Sequence, residues 1–234
     1  MNSYKLLNAT DLRNDLSWDI IELDTKLDVE KLVEWYFDFI KNFNHLKFNL
    51  GMTEYLDSEK INSLKDTVYS SIPLDKQTTY DMNYYSLSWV CDKDIPIPPM
   101  SLANTSLFPE IKDPKFKEKL KIMDKFKKGY MTILYEMLKE EGLNLLRLSI
   151  HKAGSGLDKH TDGAGSIGLH IPIITNDSAY FYLGNNLEKK YILRPGSIYL
   201  LNIQLLHMTK NLGNTDRVHL YSQPTNLDTI LQNL

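Results

Sequence analysis

Residues 158–172 read DKHTDGAGSIGLHIP, and two readings of this stretch exclude each other. The second half, Gly163-Ala-Gly165-Ser-Ile-Gly168, fits the glycine pattern of a dinucleotide-binding turn letter for letter, while the first half, His160-Thr-Asp162, has the spacing of a metal-binding edge. A phosphate-binding glycine turn needs an apolar strand before it and a helix after it, so that the phosphate sits on the helix amino terminus. Here Leu-Asp-Lys-His-Thr-Asp precedes the glycines and Leu-His-Ile-Pro-Ile-Ile follows them. Pro172 and the β-branched residues around it exclude that helix. The glycines therefore read as a flexible hairpin loop between two strands, and the metal edge is the reading that survives.

The neighbouring sequence has the same period of two, the signature of strands. In Leu146–His151 one face is Leu146, Leu148 and Ile150 and the other is Arg147, Ser149 and His151. In Ile167–Ile173 the apolar set is Ile167, Leu169, Ile171 and Ile173, opposite Gly168, His170 and Pro172; in Arg217–Tyr221, Val218 and Leu220 oppose Arg217, His219 and Tyr221. Further strands are expected at 179–183 and 197–203, separated by turn signals such as Arg194-Pro-Gly-Ser. The polar faces carry His, Arg, Ser and Tyr rather than the Lys and Glu of a solvated face. That pattern predicts a barrel or sandwich with a polar interior pocket, its apolar outer face packed on helices.

Those helices are expected before Gly142. Leu27–Phe43 repeats apolar residues at three and four, and a second, longer helix is expected over 116–141 with Leu120, Met123, Phe126, Tyr130, Ile133, Leu134 and Met137 on its apolar face and Gly142 as its stop. The lysines of 115–128 would line its solvated side. Asp94-Ile-Pro-Ile-Pro-Pro reads as a loop and Tyr84–Val90 as a strand. The expected division is an α-rich region over 1–142 buttressing a barrel core over 143–234, the whole forming one structural domain.

Composition excludes several classes. The chain has 234 residues, 42% hydrophobic and 24% charged, with a formal net charge of −3, which gives no pull toward nucleic acid or anionic membrane. Cys91 is the single cysteine and fits a small buried apolar group; no run approaches a membrane span or the apolar core of a signal peptide. A soluble, cytoplasmic protein is expected.

Residues at i and i+2 of an extended segment face the same way, so His160 and Asp162 can grip one ion. His207, 47 residues after His160 and just past a predicted strand, is the natural third ligand. Two imidazoles and a carboxylate on one face of an octahedral ion leave three positions open, the arrangement of non-heme iron(II) oxygenases. Arg217, ten residues beyond His207 on a polar strand face, adds weight.

From about Leu143 to Pro224 the chain resembles the iron(II)- and 2-oxoglutarate-dependent oxygenases of the aspartyl/asparaginyl β-hydroxylase-like branch. The residues that carry the resemblance are Ser149-Ile-His-x-x-Gly-Ser-Gly-x-x-x-His160-Thr-Asp162, His170-Ile-Pro-Ile-Ile-Thr-Asn176, Pro195-Gly-Ser-x-Tyr-x-x-Asn202-x-x-x-x-His207 and Asn211-x-Gly-x-x-Asp216-Arg217-x-His219-Leu220. The resemblance implies an α+β fold built on a double-stranded β-helix, a jelly-roll or cupin-like barrel. It implies Fe(II) held by His160, Asp162 and His207, with 2-oxoglutarate as cosubstrate and O2 as oxidant. Arg217 resembles the partner of the far carboxylate of 2-oxoglutarate, Ser149 the hydroxyl donor to that carboxylate, and His170 a contact to its metal-chelating end. A vertebrate member of the branch lacks the carboxylate ligand; Asp162 likens this chain to bacterial amino-acid and small-molecule hydroxylases.

The expected activity is hydroxylation of a C–H bond in an amino acid, peptide or related small polar substrate, with succinate and CO2 as co-products. Rival readings are a hydroxylase of Asp or Asn side chains in a protein, and a cupin-like metal-binding module without turnover. Arg147, on the same strand face as Ser149, either binds a substrate carboxylate or pairs with an acidic neighbour. Arg194 is the next candidate anchor after Arg217. His151 and His219 read as satisfied core histidines, Asn202 as a partner of backbone groups at a strand end, and Tyr84, Tyr85 and Trp89 as core rather than substrate rim.

Overall fold

The computed structural model describes residues 9–50, 82–90, 95–96, 120–143, 145–184, 186–224 and 226–233. Expectations for Cys91 and for most of 94–99 lie outside these residues.

The carboxy-terminal half is one long antiparallel ribbon wound into a barrel. Its strands are β7 (Arg147–His151), β8 (Gly156–His160), β9 (Gly168–Ile174), β10 (Ala179–Leu183), β11 (Lys189–Tyr191), β12 (Ser197–Leu201), β13 (His207–Asn211) and β14 (Arg217–Ser222). Pairing is nested: β7 with β14, β8 with β13, β9 with β12, β10 with β11, all antiparallel. Successive pairs fall alternately in two sheets, so the ribbon coils as a double-stranded β-helix. The larger sheet also takes β1 (Ile20–Lys26), β2 (Phe48–Leu50) and β3 (Met82–Ser86), in the order β1-β12-β9-β14-β7-β3-β2; the smaller is β11-β10-β13-β8. Three strands of the larger sheet thus precede residue 142.

The apolar outer face of the larger sheet is covered by helices, as its alternation predicts. Leu148, Ile150, Leu169, Ile171, Ile173, Ile198, Leu200, Val218 and Leu220 share one buried core with Leu32, Trp35, Tyr36 and Phe39 of α2 (Val29–Phe43). Asp28 caps α2 by accepting from the Lys31 amide at 3.2 Å, and its own amide donates to the Tyr130 hydroxyl at 2.7 Å, tying α2 to α3 (Tyr130–Gly142). A short α1 (Ala9–Asn14) precedes β1, and α4 (Leu227–Asn233) closes the same core with Leu227 and Ile230.

The helix expected over 116–141 is shorter. Leu120–Ile122 form β6, which pairs with β4 (Ser88–Val90); Asp124–Phe126 make one 3-10 turn, and α3 begins only at Tyr130. The lysines of 120–128 therefore do not line a helix. Leu120 and Ile122 are buried around exposed Lys121, so period two wins where the spacing of Leu120, Met123 and Phe126 imitates period three. Gly129, at φ +55°, turns the chain into the helix. Lys139, at φ 56°, breaks the helical path before Gly142. Ile95–Pro96, expected as loop, form β5 at the edge of the sheet β5-β4-β6, where proline's missing donor is tolerated. Among the described residues no helix is long and apolar enough to cross a membrane.

Candidate metal and anion site

The metal pair is built by strand register. His160 ends β8 and His207 begins β13, and the two residues are partners across the ladder. Their rings lie 4.2 Å apart between centroids. His160 Nδ1 lies 2.7 Å from the Asp158 carbonyl and His207 Nδ1 lies 2.9 Å from that of Leu205. A carbonyl only accepts, so each neutral ring carries its proton on Nδ1 and leaves the Nε2 lone pair free, the arrangement metal-ligating histidines use. Burial, with His160 beside it, pushes His207 down to about 4, so its ring is neutral at ordinary pH.

Asp162 follows two residues after His160. Its amide donates to the Ile203 carbonyl at 3.0 Å, which holds it against the β12–β13 connection, and its Oδ1 lies 3.6 Å from His160 Nε2. One ligand atom from each of His160, Asp162 and His207 falls within 4.8 Å of the other two. The loop behind them, read as flexible from its glycines, is anchored: the Gly165 amide donates to Gln204 Oε1 at 3.0 Å, and Arg13 Nη1 of α1 donates to the Gly165 carbonyl at 2.9 Å. Gly163 and Gly165 supply the positive φ of the turn, whereas Gly168 already belongs to β9.

The inner face of the larger sheet is a grid. Register sets Met82, His151 and Arg217 in one row; Tyr84, Ser149, His219 and Pro172 in the next; Ser86, Arg147, Tyr221 and His170 in the third. Arg217 is 3% exposed, and burial pushes it down to about 10. No carboxylate pairs with it among the described residues. Its guanidinium meets His219 Nδ1 at 3.1 Å and His151 Nε2 at 3.5 Å. Both histidines are held well below the usual imidazole range, by burial first and by the Arg217 charge second. Ser149 is buried and hydrogen-bonded to the Tyr84 hydroxyl. His170 is buried with neither ring nitrogen partnered, its edge against Phe181, His219 and Tyr221. The Arg147 guanidinium lies over the Tyr221 ring at 4.8 Å; its Nε is buried without a partner, and no acidic neighbour pairs with it among the described residues.

The structure brings His160, Asp162 and His207 together, and it assembles Arg217, Ser149, His170 and Arg147 on one adjoining sheet face. Arg194 is not among them: exposed, it pairs with Asp177 at 2.7 Å. Asn202 does satisfy backbone groups, donating to the Trp18 carbonyl at 3.0 Å and to that of Asp15 at 3.3 Å. His151 is a satisfied core histidine, with Thr209 Oγ1 at 3.3 Å on its other nitrogen; His219 is not, because its Nε2 is buried without a partner. Tyr85 belongs to the core, but Tyr84 faces Ser149, Arg147 and Arg217. Read from the sequence, both are core; their alternation along β3 is the signal that separates them. A groove of about 690 Å³ between α2 and α3, floored by Trp35, Phe39 and Phe126, shares no residue with this site.

Residues 123–225 match the family described as Aspartyl/Asparaginyl beta-hydroxylase. Over that span, less than half of its 234 residues, the chain is similar to this family. No curated protein matches the sequence. Among solved structures, the chain is similar to a prolyl-4-hydroxylase from Pseudomonas putida (10% identity, TM-score 0.44, covering 92% of this chain and 98% of that one). It is also similar to an oxidoreductase of the 2OG-Fe(II) oxygenase family from Burkholderia pseudomallei (9%, TM-score 0.36, 84% and 89%). A third is an uncharacterized conserved protein with a double-stranded beta-helix domain from Klebsiella pneumoniae (15%, TM-score 0.30, 35% and 67%). At these TM-scores none of the three bears on activity.

Proposed function

We propose that the protein is an iron(II)- and 2-oxoglutarate-dependent hydroxylase of a small polar substrate that carries a carboxylate, such as an amino acid or a short peptide. The observation that carries this reading is the pairing of two incomplete sites. Three ligand atoms converge within 4.8 Å, and beside them a fully buried guanidinium has no carboxylate of its own among the described residues. A buried cation without a counter-charge is costly, so a site built this way fits an anionic guest. A metal module without turnover has no need of that anchor.

The residues fit the group the family implies. His160, Asp162 and His207 would hold Fe(II): two imidazoles and one carboxylate suit a labile ferrous ion and leave coordination positions open. Arg217 and Ser149 would hold the far carboxylate of 2-oxoglutarate, and His170 would face its 2-oxo acid end. When bound, iron and 2-oxoglutarate supply oxygen activation, with the cosubstrate oxidised to succinate and CO2 and one oxygen atom delivered to the substrate C–H bond. The chain itself positions and protects. The backbone carbonyls of Asp158 and Leu205 fix the two imidazoles as Nε2 ligands. Phe181, stacked on His207 at 5.5 Å, and the apolar set of Leu183, Leu201 and Ile203 exclude water from the flank of the site. Arg147, one row from Ser149 and His219, would take the substrate's carboxylate.

The test is succinate formation from 2-oxoglutarate by the Fe(II)-loaded protein, against a panel of amino acids, short peptides and Asp- or Asn-containing protein fragments. The reading expects substrate-stimulated succinate that disappears in His160→Ala and His207→Ala. Turnover in His207→Ala at the parent rate would exclude the triad. Stimulation by protein fragments alone would favour a protein side chain as substrate, and metal binding without any 2-oxoglutarate turnover would favour the non-catalytic module.

A further inference from the structure

We propose that His219 is a positioning residue for the cosubstrate: its Nε2–H donates to the far carboxylate of the 2-oxo diacid beside Arg217, and Arg217 itself sets the tautomer that makes His219 a donor. The inference rests on the functional reading above and adds a residue that the sequence read as inert core.

The argument begins with which groups can donate. A guanidinium has hydrogens and no lone pair to offer, so a ring nitrogen 3.1 Å from Arg217 Nη2 must be an acceptor. That nitrogen is His219 Nδ1. The ring is 1% exposed and is held neutral by burial and by the neighbouring positive charge, so its single proton sits on Nε2. Nε2 in turn is buried and has no hydrogen-bond partner. The side chain is therefore a locked donor aimed away from Arg217 with nothing to receive it.

His151 supplies the contrast. It flanks the same guanidinium, with Nε2 at 3.5 Å, but its Nδ1 faces Thr209 Oγ1 at 3.3 Å, and that hydroxyl also accepts the Leu157 amide at 3.1 Å. Its hydrogen bonding is complete. Of two histidines held by one arginine, only His219 retains a free donor.

The direction of that donor follows from register. His219 is opposite Ser149 on β7 and Pro172 on β9, and its ring is 6.0 Å from His170, whose nitrogens are also unpartnered. Arg217, Ser149 and His219 are neighbours on one inner face. Ser149 bonds the Tyr84 hydroxyl and Arg217 bonds His219 Nδ1, so the donor that lacks an acceptor is His219 Nε2–H and the charge that lacks a counter-charge is Arg217. A carboxylate supplies two oxygens with several lone pairs and the missing negative charge. A 2-oxo acid without a second carboxylate, pyruvate for example, leaves the His219 donor and the Arg217 charge unmet, so His219 would contribute to choosing the diacid over the monoacid.

The experiment compares the parent with His219→Leu and His219→Gln, each loaded with Mn(II). Calorimetry reads the affinities for the metal, for 2-oxoglutarate and for pyruvate. Loss of a donor to a charged acceptor should weaken 2-oxoglutarate roughly 10- to 100-fold in His219→Leu. Metal and pyruvate affinities should be unchanged. The glutamine amide can accept from Arg217 with its oxygen and donate with its nitrogen, so His219→Gln should restore most of the 2-oxoglutarate affinity. Unchanged 2-oxoglutarate binding in His219→Leu, or equal losses for both 2-oxo acids, would overturn the role. A parent that binds metal but not 2-oxoglutarate would instead remove the functional reading and this role with it. Imidazole 15N spectra of the Zn(II)-loaded parent make the test independent of how the variants fold. His219 should be Nε2-protonated, and that proton should move downfield when 2-oxoglutarate is added. An Nδ1-protonated ring would overturn the proposal.

Discussion

The Tyr221 hydroxyl donates to Asp162 Oδ2 at 3.3 Å, and the same ring carries the Arg147 guanidinium on its face at 4.8 Å. Gln223 Nε2 donates to the hydroxyl from behind at 3.0 Å. Burial raises the Tyr221 pKa well above its ordinary value, so the phenol remains a donor across the whole working pH range. One side chain thus links the carboxylate of the metal triad with the cation proposed for substrate. An unsupported carboxylate rotates between one- and two-oxygen approach to an ion; a donor on Oδ2 leaves Oδ1, the atom nearer His160, as the ligand.

Tyr221→Phe should therefore weaken divalent metal binding by roughly 10- to 100-fold, the usual effect of removing an outer hydrogen bond to a ligand. Titration with Mn(II) or Co(II) measures this directly. The ring remains, so the thermal midpoint of the metal-free protein should move little. Parent-like metal affinity would mean that the Tyr221 bond does not orient Asp162.

Arg217→Ala should leave metal binding intact and weaken 2-oxoglutarate by about 2–5 kcal/mol, because the carboxylate would then be buried without its counter-charge. The observable is the metal-to-ligand charge-transfer band of the anaerobic Fe(II) protein during a 2-oxoglutarate titration. Arg194 cannot substitute, since it is exposed and already paired with Asp177. An unchanged titration would require another anchor on the same face, and Arg147 is the one to test.

The sequence revealed the barrel because its two faces differ so sharply in chemistry. Leu148, Ile150, Val218 and Leu220 could only be an outer face against helices, and Arg217, Ser149 and His219 only an inner one. The triad was legible for the same reason: His160 and Asp162 share a face by spacing, and His207 comes just after the strand expected at 197–203; it begins β13, which pairs with β8. What spacing could not reveal was hydrogen-bond completeness. His151 and His219 look alike as alternating residues, and only the cross-strand partners, Thr209 for one and none for the other, distinguish them. Gly168, which the sequence places both in the glycine loop and on the polar face of the strand 167–173, belongs to β9, where a Cβ would come within 3.1 Å of the Tyr221 ring and 3.4 Å of His170 Nε2. The helix expected from 116 failed because three apolar residues at helical spacing also fit a short strand and a turn, and local pattern cannot choose between them.

Stability should fall on mild acidification. His151, His170 and His219 are held well below their ordinary range in the fold, and His207 is pushed down to about 4. Above pH ~6.5 folded and unfolded chains both carry these rings neutral, so they contribute no pH dependence. Below that value the unfolded chain takes up protons that the folded rings refuse, so stability drops by about 1.4 kcal/mol per pH unit for each such histidine. Denaturant titrations of the metal-free protein at pH 7.5, 6.5 and 5.5 measure the slope. His170→Gln should remove one histidine's share of it; a flat profile in the parent would mean that these rings are hydrated and free to protonate.

Arg147→Gln addresses the substrate. Arg147 occupies the third row of the inner face, with Ser86 and Tyr221 as its cross-strand partners, and it lies two residues from Ser149. Its guanidinium rests on an aromatic ring, a contact that orients the charge without neutralising it. The Nε hydrogen is buried and unpartnered, and no acidic side chain among the described residues pairs with the group. An ion-pair role within the fold would require such a partner, so the arrangement favours a guest carboxylate near Asp162. Replacing the guanidinium by an amide keeps a donor and much of the stem while removing the charge. The substrate KM should rise by roughly 10-fold or more, as expected for a charge-assisted hydrogen bond, while uncoupled 2-oxoglutarate decarboxylation stays near the parent rate. The same variant should bind Mn(II) as the parent does, since Tyr221 and Asp162 are untouched. An unchanged KM combined with a lower thermal midpoint would assign Arg147 to the fold, and the case for a carboxylate-bearing substrate would then lose its support.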